Sequence, residues 1–447
     1  MKIKFLGASG MVTGSSYLLT NDKNESILID CGMFQGNEET SKLNWVRPEF
    51  EPSKVAGVLL THAHLDHCGR LPILTKMGLT AHIYMTHATR ELIEITLEDT
   101  VKISSEQNKG EPLYTENDVA KLLALSKIVT YHEKFNIGSF EIEYFDAGHI
   151  LGSASIVVKD NVSGKTIAFS GDLGNSPEPL VKPTEYIEAA DIVLMESTYG
   201  GRVHSKENPL EILQKEINTV ESFNSTLLIP SFSIERAQTL LHMIDHLKKE
   251  KKIKDTTPVY LDSPMAIKTT YTYEGYPGLF SEELFNHAKL DDPFDFPGLT
   301  MVSKAKASQK IWETNGAKII IAGSGMMNGG RIVNHAVNYL PLPTTRLLIV
   351  GYQAEGTMGR ELLNGAKQIT VRRQPVPVNA KIREITSISS HADEPGLLKW
   401  ISKVKGVSTI FLIHGEDDAR AALKTKIENT LNLSNINLPH LNEEITI

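Results

Sequence analysis

One device recurs along these 447 residues and limits what the chain can become: a short, β-rich apolar run that stops at a polar or glycine-rich turn. "AGVLLTHAH", "TIAFSGDLG", "DIVLMESTYG", "STLLIPSFS", "PVYLDSPMA", "KIIIAGSGMMNGG", "RLLIVGYQAEG", "ITSISSHAD" and "STIFLIHGED" all have this form. Helical patterns follow several of them, as at 234–249 and 329–340. Strands alternating with helices specify an α/β protein. In such sheets function collects beyond the carboxyl ends of the strands, and here the unusual polar residues fall there repeatedly. From about 204 to 385 the runs are almost continuously apolar, which predicts a parallel, doubly wound sheet. The length itself predicts two domains. The aromatic, proline-rich stretch 271–299 is expected to pack over the middle domain, with base stacking as the alternative.

The segment "THAHLDHCGRLP" puts His62, His64, Asp66 and His67 directly after the apolar Val58, Leu59 and Leu60. Four titratable groups at a buried strand end repel one another or demand desolvation unless something binds them. Neutral imidazoles and a carboxylate suit zinc, with manganese as the alternative. Alternation along the extended segment turns His62 and His64 one way. A turn into a helix near Asp66 directs Asp66 and His67 to a second position, so two metals are expected. His149, set between glycine-rich bends in "FDAGHILGSAS", and Asp172, ending "TIAFSGD", supply a third histidine and a bridging carboxylate. The histidines at 82, 87, 132, 204, 242, 246, 287, 335 and 440 lie in helical, loop or tail contexts and are read as ordinary. The two cysteines, Cys31 and Cys68, exclude a disulfide framework and point to a reducing cytoplasm; both are read as small buried neighbours of the motifs, a ligand role being the lesser alternative. No apolar run has membrane-spanning length, and "MKIKFLGASG" lacks the features of a signal peptide.

With these residues in this order, the chain resembles the metallo-β-lactamase fold. The HxHxDH cluster, His149 after Gly148 and Asp172 after Gly171 match its motifs, and Asp30, ending "ESILIDCG", matches the aspartate that orients the histidine cluster from behind. Fold alone leaves the reaction open, since thioesterases, lactamases, redox proteins and nucleases share it. Further on, Glu196 ends "DIVLMESTYG", His391 follows "ITSIS", and His414 follows "STIFLI". These match motifs A, B and C of the β-CASP subgroup, which contains the cleavage-and-polyadenylation endonuclease and bacterial and archaeal RNases. The resemblance implies an αββα sandwich at 1–202, completed by 386–447, with a Rossmann-like parallel-sheet β-CASP cap inserted at 203–385. It implies that His62, His64 and His149 hold one zinc, that Asp66, His67 and His414 hold the other, and that Asp172 bridges them. Two such metals lower the pKa of water so that it attacks at neutral pH. His391 would then protonate the leaving oxygen, with Glu196 favouring its charged form. The histidine at motif C points to RNA rather than DNA.

The implied activity is a zinc-dependent ribonuclease acting on single-stranded RNA, as an endonuclease, a 5′→3′ exonuclease or both. A homodimer is allowed. With 46 basic against 54 acidic residues the formal charge is −8, so the backbone must be held in a local groove rather than by a basic shell. Ser389, two residues before His391, matches a family position that contacts the scissile phosphate. Ser231, Ser233 and Arg236 in "PSFSIERAQTLL" stand at a strand-to-helix junction, where free N–H groups favour anions. Arg331 edges the glycine-rich "GSGMMNGGR", and Arg202 follows the glutamate motif; both rank below Arg236 as phosphate contacts. The rival readings are a small ester or thioester hydrolase on the same fold and a non-catalytic RNA-binding scaffold subunit.

Overall fold

A computed structural model describes residues 1–106, 111–176 and 178–447. It divides into two compact units, one made of residues 1–203 and 391–447, the other of residues 204–390. Among the described residues no helix is long and apolar enough to cross a membrane.

The first unit is a sandwich of two seven-stranded sheets. One sheet runs in the order Glu444–Thr446, Lys2–Phe5, Tyr17–Thr20, Ser26–Ile29, Gly57–Leu59, Ile83–Met85 and Ser126–Ile128. The other runs Ile436–Asn437, Thr409–Ile413, Ile192–Glu196, Thr166–Phe169, Ala154–Asp160, Phe140–Asp146 and Phe135–Ile137. Their facing sides interleave in one core: Ile3, Phe5, Leu19, Ile27 and Ile29 from the first sheet meet Phe140, Ile142, Tyr144, Ile156, Phe169 and Phe411 from the second. The period-two alternation of Phe140–Asp146 produces this directly, because Phe140, Ile142 and Tyr144 point inward while the residues between them are partly exposed. Each such aromatic or aliphatic side chain, fully buried, contributes about 1.5–3 kcal/mol. On its outer face the second sheet is covered by helices Glu394–Ile401 and Asp417–Leu431, whose Leu397, Trp400, Leu423 and Ile427 pack on Val193, Met195 and Leu412.

Register carries distant residues to one end of this sandwich. Ile192–Glu196 is parallel to both Thr166–Phe169 and Thr409–Ile413, and Glu196 is paired with Ile413. Asp172, Glu196 and His414 therefore emerge from three adjacent strand ends. In the other sheet Ile29 is paired with Leu59, which brings Asp30 beside the segment that starts at Thr61.

The second unit is built on a six-stranded, wholly parallel sheet in the order Leu299–Met301, Val259–Asp262, Lys318–Ala322, Thr226–Pro230, Arg346–Ile349 and Lys381–Glu384, with a separate antiparallel pair, Gln368–Val371 and Gln374–Pro377. Both faces are covered, as the near-continuous apolar runs require. Leu228, Ile320, Leu347 and Ile349 share a core with helix Gly330–Tyr339. The alternate residues Leu227, Ile229, Ile319 and Ile321 are equally buried, and helix Pro209–Phe223 packs against the same strands. In the aromatic stretch, Tyr273, Phe280, Phe294 and Phe296 are buried, with Phe294 edge-on to Tyr273 and Phe280. Those rings serve packing rather than base stacking.

Candidate metal centre

The histidine and aspartate donors follow strand ends and Glu196 closes its strand, whereas the expected strand before His391 is absent and that residue follows a turn beyond Lys381–Glu384. His62 and His64 follow Gly57–Leu59 in extended backbone, and the short helix Leu65–Cys68 begins at once and carries Asp66 and His67. His149 and Asp172 come from the ends of Phe140–Asp146 and Thr166–Phe169 through bends that only glycine fits well. Gly148 (φ 62°) and Gly171 (φ 58°) are left-handed, and a Cβ would lie 2.4 Å from the Thr184 backbone nitrogen at the first and 2.7 Å from the Ala154 carbonyl oxygen at the second. Asp30 (φ 56°) and His414 (φ 48°) adopt the same left-handed conformation with full side chains, strain of the kind that concentrates at functional sites.

The donors form two groups joined at one carboxylate. His64 Nδ1 is 3.1 Å from both His62 Nε2 and His149 Nε2, while Asp172 Oδ2 is 3.5 Å from His62 Nε2 and 3.6 Å from His149 Nε2. Asp172 Oδ2 also lies 3.3 Å from His67 Nε2, and His414 Nε2 lies 3.4 Å from Asp66 Oδ2. Ligands of a tetrahedral zinc, each about 2.05 Å from the ion, are about 3.3 Å apart along every edge. The observed spacings bracket that value. Three imidazole nitrogens converging on one point cannot all be satisfied by donating to one another, whereas a cation accepts every lone pair. The donor sets fit a pair of metal ions, each with imidazole and carboxylate ligands.

Groups behind the donors set their tautomers. His67 donates from Nδ1 to Asp30 Oδ2 at 2.7 Å, leaving Nε2 to face Asp172. Asp30 is itself fixed by the Thr61 backbone N–H and hydroxyl, each at 2.8 Å. Thr61 Oγ1 also lies 3.0 Å from His62 Nδ1. Thr198 does the same for motif C: its Oγ1 is 3.0 Å from His414 Nδ1, so Nε2 points to Asp66. Such partners hold a ligating ring in place and raise its basicity. Burial pushes the His64 imidazole down to about 4, and burial followed by the neighbouring imidazoles holds His62 well below the usual histidine range. Burial acts to raise Asp172, but His414, His67 and His62 outweigh it and keep the carboxylate ionised. Burial acts to lower His67 too, but there Asp172 and Asp30 outweigh it and hold the ring well above the usual histidine range. Neutral His62 and His64 and ionised Asp172 are in forms that bind metal, whereas His67 must release its proton to do so.

Beside these groups His391 Nδ1 lies 3.3 Å from Glu196 Oε1 and 3.9 Å from Asp172 Oδ2. Burial lowers its affinity for a proton; Glu196, then Asp172 and Asp66, more than reverse this and raise the pKa to about 8. Glu196 is fully buried and accepts the Leu173 N–H at 2.6 Å on the same oxygen that faces His391. The His391 side chain keeps 15 % of its surface open, against 2 % for Asp172.

Three family models match successive parts of the chain, the third crossing the boundary between the units at 390 and 391. The metallo-beta-lactamase superfamily matches residues 10–198, the Beta-Casp domain 237–362, and the Zn-dependent metallo-hydrolase RNA specificity domain 375–439. A protein of Thermus thermophilus named as a ribonuclease is 37 % identical over 430 residues, covering 95 % of each chain. The chain belongs to the β-CASP family of metallo-β-lactamase hydrolases. An RNase J-like protein of Methanocaldococcus jannaschii is 30 % identical over 438 residues, 96 % of each chain. The cleavage and polyadenylation specificity factor 73 of Drosophila melanogaster is 28 % identical over 443 residues, covering 96 % of this chain and 62 % of that one. A crystal structure of a protein of unknown function from Enterococcus faecalis shares the fold with a TM-score of 0.55 at 13 % identity, covering 100 % of this chain and 99 % of that one.

The remaining expected residues of this β-CASP chain divide. Ser231, Ser389 and Arg236 are buried, and Arg236 opens the helix Arg236–Lys249 with Nη2 lacking a hydrogen-bond partner among the described residues. Ser233 Oγ meets Ser263 Oγ at 3.2 Å. Arg331 donates to Asp262 at 2.5 Å, to the Val302 carbonyl at 2.7 Å and to the Ser303 carbonyl at 2.6 Å, so its guanidinium is engaged within the second unit. Arg202 Nη2 stands 3.9 Å from Asp418 Oδ2. Cys31 and Cys68 are free and buried, and burial raises both thiols, Cys31 to about 11, so neither offers a ready thiolate. Sequence reasoning missed Thr61 and Thr198; each neighbours a site residue in sequence or follows one by two, but a threonine there carries no signal of its own. His242, His246 and His287, read as ordinary, converge in the second unit.

Proposed function

We propose that this protein is a zinc-dependent ribonuclease that hydrolyses phosphodiester bonds in single-stranded RNA. The observation that carries the reading is the pair of donor sets sharing Asp172, with the His391–Glu196 pair against them. In this reading His62, His64 and His149 hold one ion, Asp66, His67 and His414 the other, and Asp172 belongs to both. When bound, two such ions activate water and neutralise the charge that builds on a phosphodiester during in-line displacement. The rest is the work of the chain. Asp30, Thr61 and Thr198 hold the ligating rings in one tautomer. His391, charged at neutral pH and only partly buried, delivers its proton to the departing oxygen. Glu196 is a positioning residue that keeps that proton in place. The presence of Glu196 and His391 favours phosphodiester over thioester hydrolysis, because a thiolate leaves without an acid. RNA as substrate accords with the ribonucleases named among the relatives and with the RNA specificity domain match.

The test is digestion of one single-stranded RNA labelled separately at its 5′ and 3′ ends, with a thioester assayed in parallel. RNA cleavage that needs zinc is expected, and the two labels distinguish internal cuts from stepwise loss of the 5′ end. Intact RNA beside a cleaved thioester would sink the reading.

A further inference from the structure

The helix Arg236–Lys249 of the second unit presents His242, Asp245, His246 and Lys249 at successive one-turn spacings, so they share one face. Helix Glu282–Ala288 brings His287 against that face. The three imidazoles pack with ring centroids 4.5 Å (242–246), 5.3 Å (242–287) and 5.4 Å (246–287) apart, and each offers a ring nitrogen within 4.8 Å of the nitrogens of the other two. His242 Nδ1, His246 Nε2 and His287 Nδ1 are all buried and lack a hydrogen-bond partner among the described residues. Buried polar atoms are seldom orphaned, and three orphans in one place indicate a shared partner.

The geometry points to a further metal site, in which His242, His246 and His287 bind one zinc-class divalent cation, apart from the donor sets of the first unit. Three imidazoles with a fourth position open to water or carboxylate suit zinc and its neighbours in softness. Asp245, with 1 % of its side chain exposed, has Oδ2 3.3 Å from His287 Nε2. A proton on Nε2 would point to that carboxylate and free Nδ1 for the ion, the carboxylate–histidine arrangement common behind metal ligands. The competing cation is Lys249, whose Nζ is 2.7 Å from His287 Nε2. It is countered by Asp245 at 2.9 Å and Asp291 at 3.2 Å, and Glu283 stands 3.9 Å from His246 Nε2, so carboxylates outnumber it. Burial, then the two other imidazoles, push His242 down to about 3, which keeps it in the ligand form. A bound ion would staple the segment around Glu282–Ala288 to the long helix within the second unit, a structural role.

The test uses the full chain, loaded with zinc and dialysed into metal-free buffer, with zinc per chain measured by plasma mass spectrometry. His246→Gln and His287→Gln should each lose one equivalent relative to wild type, with unchanged circular dichroism. Wild-type zinc content in either folded variant would overturn the site. Should both variants fail to fold, wild-type crystals measured at the zinc edge decide: an anomalous peak among the three rings supports the site, and none refutes it.

Discussion

Replacing Glu196 with glutamine removes one charge and almost no volume, and the retained Oε1 still accepts the Leu173 N–H. What it removes is the leading influence that raises His391 against the effect of burial. The rise from 6.5 to about 8 corresponds to about 2 kcal/mol at about 1.4 kcal/mol per pH unit. Glu196 is the largest of the raising influences, ahead of Asp172 and Asp66, and with Glu196 accounting for the net rise the variant's His391 returns to the ordinary value. The sign follows from the role of an acid: the proton is present below the pKa and lost as pH rises through it. At about pH 7.5 the protonated fraction falls from about three quarters to about one tenth or less, so cleavage should drop about eightfold or more. Single-turnover cleavage of labelled RNA across pH measures this. The descending limb should move to lower pH by about 1.5 units or more, with metal content unchanged. A descending limb that stays in place in Glu196→Gln would refute the assignment of His391 as the acid.

Further variants separate chemistry from metal binding. His391→Ala should keep its catalytic metals and lose roughly 100- to 10,000-fold in cleavage, the usual loss for a general acid; His67→Ala should lose metal as well, read by metal analysis of the same samples. Thr198→Val deletes the hydroxyl 3.0 Å from His414 Nδ1 and should weaken metal binding roughly 10- to 100-fold in a chelator competition. RNA affinity of the metal-loaded His391→Ala protein should fall with salt, with a log–log slope of about −0.7 for each phosphate contacted. A flat binding curve would count against a basic groove.

The strand ends were legible because an apolar run that stops at histidine or aspartate violates the ordinary rule for a buried element. That is why His62, His64, Asp66, His67, His149 and Asp172 could be read from spacing, and the parallel middle sheet from its two-sided apolar strands. Glu196 and His414 were legible only by motif order; the register that pairs Glu196 with Ile413 is a contact across the whole inserted unit, invisible to local pattern. Arg331 shows the opposite limit. A glycine-rich turn with an arginine at its edge looks the same whether the guanidinium meets a phosphate or, as here, a buried Asp262. The convergence of the second-unit histidines was not legible: His242 and His246 stand one helical turn apart, but the third member comes from a helix about 40 residues later whose packing no periodicity reveals.

The central claim, metal-dependent cleavage of RNA at the Asp172-centred donor sets, meets its most direct test in one assay. End-labelled single-stranded RNA is incubated with metal-loaded protein, with the same protein stripped by a chelator, and with the stripped protein given zinc again. Cleavage that is present, then lost, then restored is the predicted result. RNA left intact by the fully loaded protein, or cleaved equally after stripping, would contradict the account.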